Sequence, residues 1–255
     1  MKSLTKVLQQ QKDQDKKLFI PYIMAGAKGL DRLEEEVIML AENGANAIEL
    51  GVPFSDPVAD GPVIQEAGIL SRKAGTTLKK IVTVLQEIHS PVPLILMGYA
   101  NSFFHYGIEK LVEDLSKTDV KGVIIPDLPY EHRELFMDSA KESDIAFIQL
   151  VTLTSSPERI TELVTEAEGF IYAVTINGTT GINRQYQDKL YDHLQQITKV
   201  SPIPVLAGFG VSTLEHVQTF NQYCDGVVIG SLIVKSLNDK GVSQTGELLQ
   251  ELFKG

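Results

Sequence analysis

The sequence predicts a (β/α)8 barrel with an extra N-terminal helix, read as one domain over residues 1–255. Three observations carry that fold class. Eight short runs rich in Ile, Val and Leu recur along the chain, amphipathic segments of helical period separate them, and the runs are apolar nearly throughout instead of alternating with polar residues. Strands apolar on both faces are buried on both faces, as parallel strands covered by helices are. Eight such units within about 250 residues match a closed barrel. An open doubly wound sheet is the alternative, but it usually carries fewer strands and often a Gly-rich first turn, and no GxGxxG follows the first run.

The leading segment is amphipathic, with a Gln/Lys-rich tail over 9–17. The first strand is read from "LFIPYIMAG" (18–26), followed by the helix "LDRLEEEVIMLAENG", in which Leu33, Val37, Leu40 and Ala41 share a face and Gly44 supplies the stop. "NAIELGVPF" (46–54) is the second strand, and "TTLKKIVTVLQEIHS" the helix after its loop. The remaining strands are "VPLILMGYA", "VKGVIIPD", "IAFIQLVT", "GFIYAVTI", "IPVLAGFG" and "CDGVVIGS". Helical patterns lie between them in "IEKLVEDLSKTD", "EHRELFMDSAKESD", "SPERITELVTEAEG", "LYDHLQQITKVS" and "TLEHVQTFNQYC", and "GELLQELFK" ends the chain.

A formal charge of -10 with no Lys/Arg-rich block argues against nucleic acid or an anionic membrane as partner. The single cysteine, Cys224, excludes an internal disulfide and reads as a small apolar filler in a reducing compartment. The first twenty residues lack the apolar stretch of a signal peptide and no segment is apolar enough to span a bilayer, so a cytoplasmic protein is expected.

In such a barrel the chemistry sits where strands end. Within the second strand Ala47, Glu49 and Gly51 share one face and Ile48 and Leu50 the other. With the aliphatic face against the helices, Glu49 points inward, and its small neighbours leave room for a ligand. Lost hydration raises a carboxylate's pKa and lets it give and take a proton near neutral pH. Asp56 and Asp60 follow in a loop stiffened by Pro53, Pro57 and Pro62, which can aim a carboxylate, although either aspartate can also cap a turn. Asp127, beside Pro126 and Pro129, reads as an N-cap or turn residue.

The loops after the sixth, seventh and eighth strands carry "NGTTG", "GFG" and "IGS". Backbone N–H groups at these barrel positions commonly hold a phosphate, which needs no net positive charge on the chain. The stretch 177–189 is too long for a minimal connection and reads as a lid. None of His89, His105, His132, His193 and His216 falls in a predicted strand or pairs at ligand spacing, so neither a metal site nor a Ser-His-Asp set is expected. Lysines are read as lying outside the strands, which argues against a Schiff base inside the barrel. Carboxylate acid–base chemistry on a phosphorylated small molecule remains.

The segment "ELGVPFSDPVADGPVIQ" resembles the signature of the tryptophan synthase alpha subunit family, and "MGYAN", "PDLP", "GTTG", "GFG" and "GSLIVK" extend the likeness over essentially the whole chain. The resemblance implies a (β/α)8 barrel that cleaves indole-3-glycerol phosphate to indole and glyceraldehyde 3-phosphate without a cofactor of its own. By the same matching Glu49 is the catalytic glutamate, handling the protons of indole C3 and of the glycerol hydroxyl, and Asp60 accepts a hydrogen bond from the indole N–H. Tyr22, Ile64, Tyr99 and Tyr172 are expected to line the indole pocket, Thr180 to close over it, and Gly181, Gly210, Gly230 and Ser231, with Phe209 nearby, to hold the phosphate. Asp56 and Pro57 match the loop that communicates with a beta subunit, which carries pyridoxal phosphate and would form a heterotetramer with two copies of each chain. Ile176 stands where the family often has arginine, and Met24 and Ala27-Lys28 where Thr and Asp-Pro are common. A regulatory barrel subunit with weak chemistry of its own, or another phosphosugar isomerase, are the competing readings.

Overall fold

Short, mostly buried strands dictate the architecture: β1 (Leu18–Met24), β2 (Ile48–Gly51), β3 (Leu94–Met97), β4 (Val120–Ile124), β5 (Ala146–Phe147), β6 (Gln149–Thr152), β7 (Ile171–Val174), β8 (Val205–Gly208) and β9 (Gly226–Ile229). The structure, a computed structural model, describes residues 1–175, 184–211 and 213–253. Around the strands lie α1 (Ser3–Lys12), α2 (Leu33–Glu42), α3 (Pro62–Lys73), α4 (Leu78–Leu85), α5 (Ala100–Tyr106), α6 (Ile108–Leu115), α7 (Glu134–Ala140), α8 (Pro157–Thr165), α9 (Arg184–Val200), α10 (Leu214–Phe220), α11 (Ser231–Lys240) and α12 (Val242–Phe253).

All strand pairings are parallel, in the order β5-β4-β3-β2-β1-β9-β8-β7-β6. The two ends of that order are consecutive in the chain, separated only by Ile148, whose N–H still donates to Val123 O at 3.0 Å. β5 and β6 are therefore two halves of the predicted fifth strand, which leaves β4 for β7 and closes the barrel through the covalent chain. Among the described residues nine segments occupy eight barrel positions.

Alternate side chains sort to two cores. Ile48 and Leu50 pack outward with the helices, whereas Ala47, Ile95, Ile124 and Leu206 share the interior cluster. Leu4 and Leu8 of α1 are fully buried in that same interior cluster. A Cβ at Gly122 would sit 2.8 Å from Leu4 Cδ2 and one at Gly169 3.0 Å, so the two glycines make space for the helix's inserted side chain. Thr5 Oγ1 accepts the Gly169 N–H at 2.8 Å. α1 thus stoppers the end of the barrel opposite the site.

α1 ends at Lys12, not at 17, because the chain reverses through Asp15 at φ 57°. Helices α3, α5 and α11 went unread; the buried positions of α3 are Ile64, Ala67, Gly68 and Ser71, spaced as a helix but too small and polar to register as an apolar stripe. Residues 184–189, read as loop, are the first turns of α9. Lys121, read as outside the strands, lies in β4, where its Nζ is 3.5 Å from Thr118 O and 3.8 Å from Asp144 Oδ2. Among the described residues no helix is long and apolar enough to cross a membrane.

Candidate active site

Glu49 stands in the middle of β2, in register with Tyr22 of β1 and Ile95 of β3, both members of the interior cluster. It is 0% exposed, and neither carboxylate oxygen has a hydrogen-bond partner among the described residues. A buried carboxylate in that condition binds its proton tightly. Burial first, and the nearby Asp60 second, raise its pKa from 4.5 to about 8.

Asp60 ends the turn between β2 and α3. Its N–H donates to Pro57 O at 3.0 Å and its own carbonyl accepts from Gln65 Nε2 at 2.8 Å. Gly61 and Pro62 then start α3, proline standing where the first helical N–H would lack a partner anyway. Burial raises the Asp60 carboxyl from 3.8 to about 6. The loop is anchored by Tyr99, whose hydroxyl oxygen accepts the Ala59 N–H at 2.9 Å and whose ring stacks on Phe54 with centroids 4.9 Å apart. Tyr99 is expected to line the pocket; its anchoring of the acidic loop is a second task that spacing alone does not reveal.

Tyr22 and Tyr172 reach the same region over glycines. A Cβ on Gly51 would lie 1.9 Å from Tyr22 Oη, and one on Gly208 would lie 2.4 Å from the Tyr172 ring. The space at Gly51, expected to receive a ligand, is filled by the Tyr22 phenol, which corrects that expectation. Burial pushes both phenols well above 10.0, with Asp60 and then Glu49 adding to it at Tyr22 and Glu49 leading the charge effects at Tyr172. Those shared effects put the two phenols and the two carboxylates in one electrostatic cluster. Ile64, in the first turn of α3, is 8% exposed and belongs to the interior cluster as well.

At the neighbouring strand ends, Phe209 adopts φ 58° and Gly210 φ 116° directly after β8, while Gly230 precedes α11 and Ser231 opens it. Phe209 packs on Tyr172 with centroids 5.2 Å apart, so the glycine-bearing turn borders the aromatic wall. Thr175, unremarked in the sequence, bonds this turn: its N–H donates to Gly208 O at 3.0 Å and its hydroxyl reaches Gly208 O at 2.8 Å and Phe209 O at 2.5 Å. Ile176, Thr180 and Gly181 lie outside the described residues.

Other candidates fall elsewhere. Asp56 is exposed and Pro57 half-buried at the tip of the loop, away from the cluster. Asp127 accepts the Ala100 N–H at 2.8 Å, so it caps a helix as read, though the neighbouring α5 and not its own. Cys224 is buried, with its thiol pushed up to about 11 chiefly by burial and its Sγ 3.2 Å from two carbonyls, which suits a filler. Among the described residues no group of three or more His, Cys, Asp or Glu can hold a metal ion.

The site therefore offers two proton-handling carboxylates of unlike affinity, an aromatic wall, and main-chain N–H groups at adjacent strand ends. Comparison with known proteins gives one family by sequence and by fold. The family model described as tryptophan synthase alpha chain matches residues 8–253. A tryptophan synthase alpha chain of Listeria innocua is 51% identical over 249 residues, spanning 98% of this chain and 96% of that one. The solved tryptophan synthase subunit alpha from Campylobacter jejuni superposes with a TM-score of 0.86 at 29% identity, covering 95% of this chain and 98% of the other. A chain of ligand-free tryptophan synthase from M. tuberculosis gives 0.88 at 28% identity, with 99% and 98% covered.

Proposed function

The chain belongs to the tryptophan synthase alpha chain family, and from that premise we infer which of its residues carry the family's reaction. It is a carbon–carbon lyase that cleaves indole-3-glycerol phosphate to indole and glyceraldehyde 3-phosphate in tryptophan biosynthesis. It needs no cofactor of its own; the pyridoxal phosphate belongs to its partner, the beta subunit. We read the assembly as two copies of each chain, the alpha chain as one barrel domain, and its compartment as the cytoplasm.

Cleavage requires the electrons of the breaking C–C bond to enter the indole ring. Glu49, protonated near neutral pH, gives its proton to indole C3, which makes the ring an electron-deficient iminium. The carboxylate then takes the proton of the glycerol hydroxyl beside that bond. The hydroxyl becomes the aldehyde, the bonding pair returns to the ring, and Glu49 ends as it began. Asp60, ionised, accepts the indole N–H and stabilises the positive charge on the ring nitrogen. Tyr22, Ile64, Tyr99 and Tyr172 enclose the indole. The N–H groups of Gly210, Gly230 and Ser231, with Phe209 beside them and Gly181 from the sixth loop, receive the phosphate end, and Thr180 closes over the site. Asp56 and Pro57 face the beta subunit.

One observation carries this reading: Glu49 is buried inside the barrel, without a partner among the described residues, in the electrostatic field of Asp60. Indole release from indole-3-glycerol phosphate, measured with and without the beta subunit, is the test. Glu49→Gln is expected to lower kcat by a factor on the order of 10²–10⁴ while glycerol 3-phosphate still binds. Full turnover in that variant removes Glu49 from the mechanism.

A further inference from the structure

We propose that Thr175 is a positioning residue for the phosphate end of the site, its hydroxyl setting the direction of the main-chain N–H groups of Phe209 and Gly210. The proposal rests on the reading of the Gly210 N–H as a phosphate donor, adds the Phe209 N–H beside it, and supplies the device that aims both. Thr175 is 4% exposed, directly after β7, and draws two successive carbonyls of the next strand's turn onto itself, Gly208 O by its N–H at 3.0 Å and Phe209 O by its hydroxyl at 2.5 Å, with the hydroxyl oxygen also 2.8 Å from Gly208 O. In a planar trans peptide the C=O and the N–H of the same unit point opposite ways. Holding the Gly208 and Phe209 carbonyls toward Thr175 therefore turns the Phe209 and Gly210 N–H groups away from β7. That is the side of β9, where Gly230 and the first turn of α11 lie. Neither N–H has a main-chain acceptor among the described residues. Two adjacent N–H groups on one side form an anion-binding concavity.

The conformation has a cost that calls for such a clamp. Phe209 at φ 58° is a non-glycine residue in the left-handed region, disfavoured by roughly 1–2 kcal/mol. A turn of that kind persists when neighbours over-determine it. The Tyr172 ring fixes the Phe209 side chain, and Thr175 fixes the peptides on either side of it.

The test compares Thr175→Val, which keeps the shape and loses the hydroxyl, with Thr175→Ser, which keeps the hydroxyl, each in complex with the beta subunit. For Thr175→Val the KM for indole-3-glycerol phosphate and the Kd for glycerol 3-phosphate by calorimetry are both expected to rise roughly five- to tenfold. Its kcat is expected to stay within about twofold, and Thr175→Ser to match the unsubstituted protein in all three quantities. Indoleglycerol lacking the phosphate is expected to be cleaved equally by Thr175→Val and the unsubstituted protein. Unchanged KM and Kd in Thr175→Val overturn the proposal, as does a kcat that drops as far as KM rises, or a folded Thr175→Ser no better than the valine variant. Should the valine variant fail to fold, Thr175→Ala against Thr175→Ser carries the same comparison. If the unsubstituted protein binds glycerol 3-phosphate and releases no indole, the functional reading fails while the Kd comparison still decides Thr175; if it does not bind glycerol 3-phosphate, the proposal is overturned.

Discussion

Burial leaves Glu49 with a pKa of about 8 and Asp60 with one of about 6, so near neutral pH the first is protonated and the second ionised. These are the states that the proposed roles require, a donor to carbon and an anion beside a cationic ring. Because kcat/KM reports the free enzyme's groups, its pH profile is expected to be bell-shaped, falling below about 6 as Asp60 takes up a proton and above about 8 as Glu49 loses one. A profile flat across that range would contradict the assigned states. Stability runs against function at the same residue. As pH rises from about 5 to about 8 the unfolded chain has released the Glu49 proton while the folded chain keeps it, so unfolding releases a proton and stability falls with pH. A shift from 4.5 to about 8 makes the loss at pH 9 on the order of 5 kcal/mol. Glu49→Gln is thus expected to be more stable than the native chain, by a margin that widens between pH 5 and pH 9 in denaturant melts; a margin independent of pH would mean the carboxylate is not buried in solution. Glu49 is legible in the sequence because a carboxylate breaks an apolar strand whose small and aliphatic residues alternate. The reach of the Tyr22 side chain over Gly51 is not, since it comes from a strand pairing that neither segment displays alone.

Elements show the same division between local and distant causes. The strands were legible from their unbroken apolar character, and the fifth was read whole because nothing in "IAFIQLVT" marks the exchange of partners at Ile148. α3 escaped because its inner face is built from Ala67, Gly68 and Ser71, with only Ile64 large. Ser71 illustrates why: its hydroxyl donates to Ala25 O at 2.6 Å, tying the helix to the chain after β1 by a polar contact that hydrophobic periodicity cannot register. The leading helix was legible as amphipathic, but its destination was not. Leu4 and Leu8 fill the closed end of the barrel, where Gly122 and Gly169 leave room for Leu4. Leu8→Ala is expected to destabilise the fold by roughly 2–5 kcal/mol, the range for emptying a fully buried leucine site. Its kcat at a temperature well below the melt is expected to be nearly unchanged, because the plug and the carboxylates stand at opposite ends of the strands. Equilibrium unfolding checks the first statement and steady-state rates the second; a cost below about 1 kcal/mol would mean the helix is not docked in solution.

At the scale of the whole molecule, the proposed site opens toward the C-terminal ends of the strands, so a partner that receives indole is expected to approach that face. The loop after β2 presents Val58 there, 83% exposed and directly after Asp56 and Pro57, and α5 presents Phe104 at 44%. The two are linked beneath the surface by the Ala59–Tyr99 hydrogen bond and the Phe54–Tyr99 stack, which join the loop to the residue before α5. Exposed apolar side chains grouped on the functional face of a chain carrying a net charge of -10 mark a contact surface more readily than scattered ones do. Desolvating a Val side chain contributes about 1.5–3 kcal/mol, and a charge in its place would have to be buried against the partner at a penalty. Val58→Asp is accordingly expected to weaken beta-subunit binding by roughly tenfold or more by calorimetry, leaving the melting temperature of the isolated chain unchanged because the side chain touches little within it. The rate without the partner should hold, since the peptide that Tyr99 grips is that of Ala59, one residue further on, and the Asp60 turn closes on Pro57 through the backbone alone. Unchanged affinity for the beta subunit would place the interface elsewhere. A fall in the partner-free rate would instead show that the loop tip orients Asp60 directly, making the same few residues the link by which the partner's state reaches the proton-handling pair.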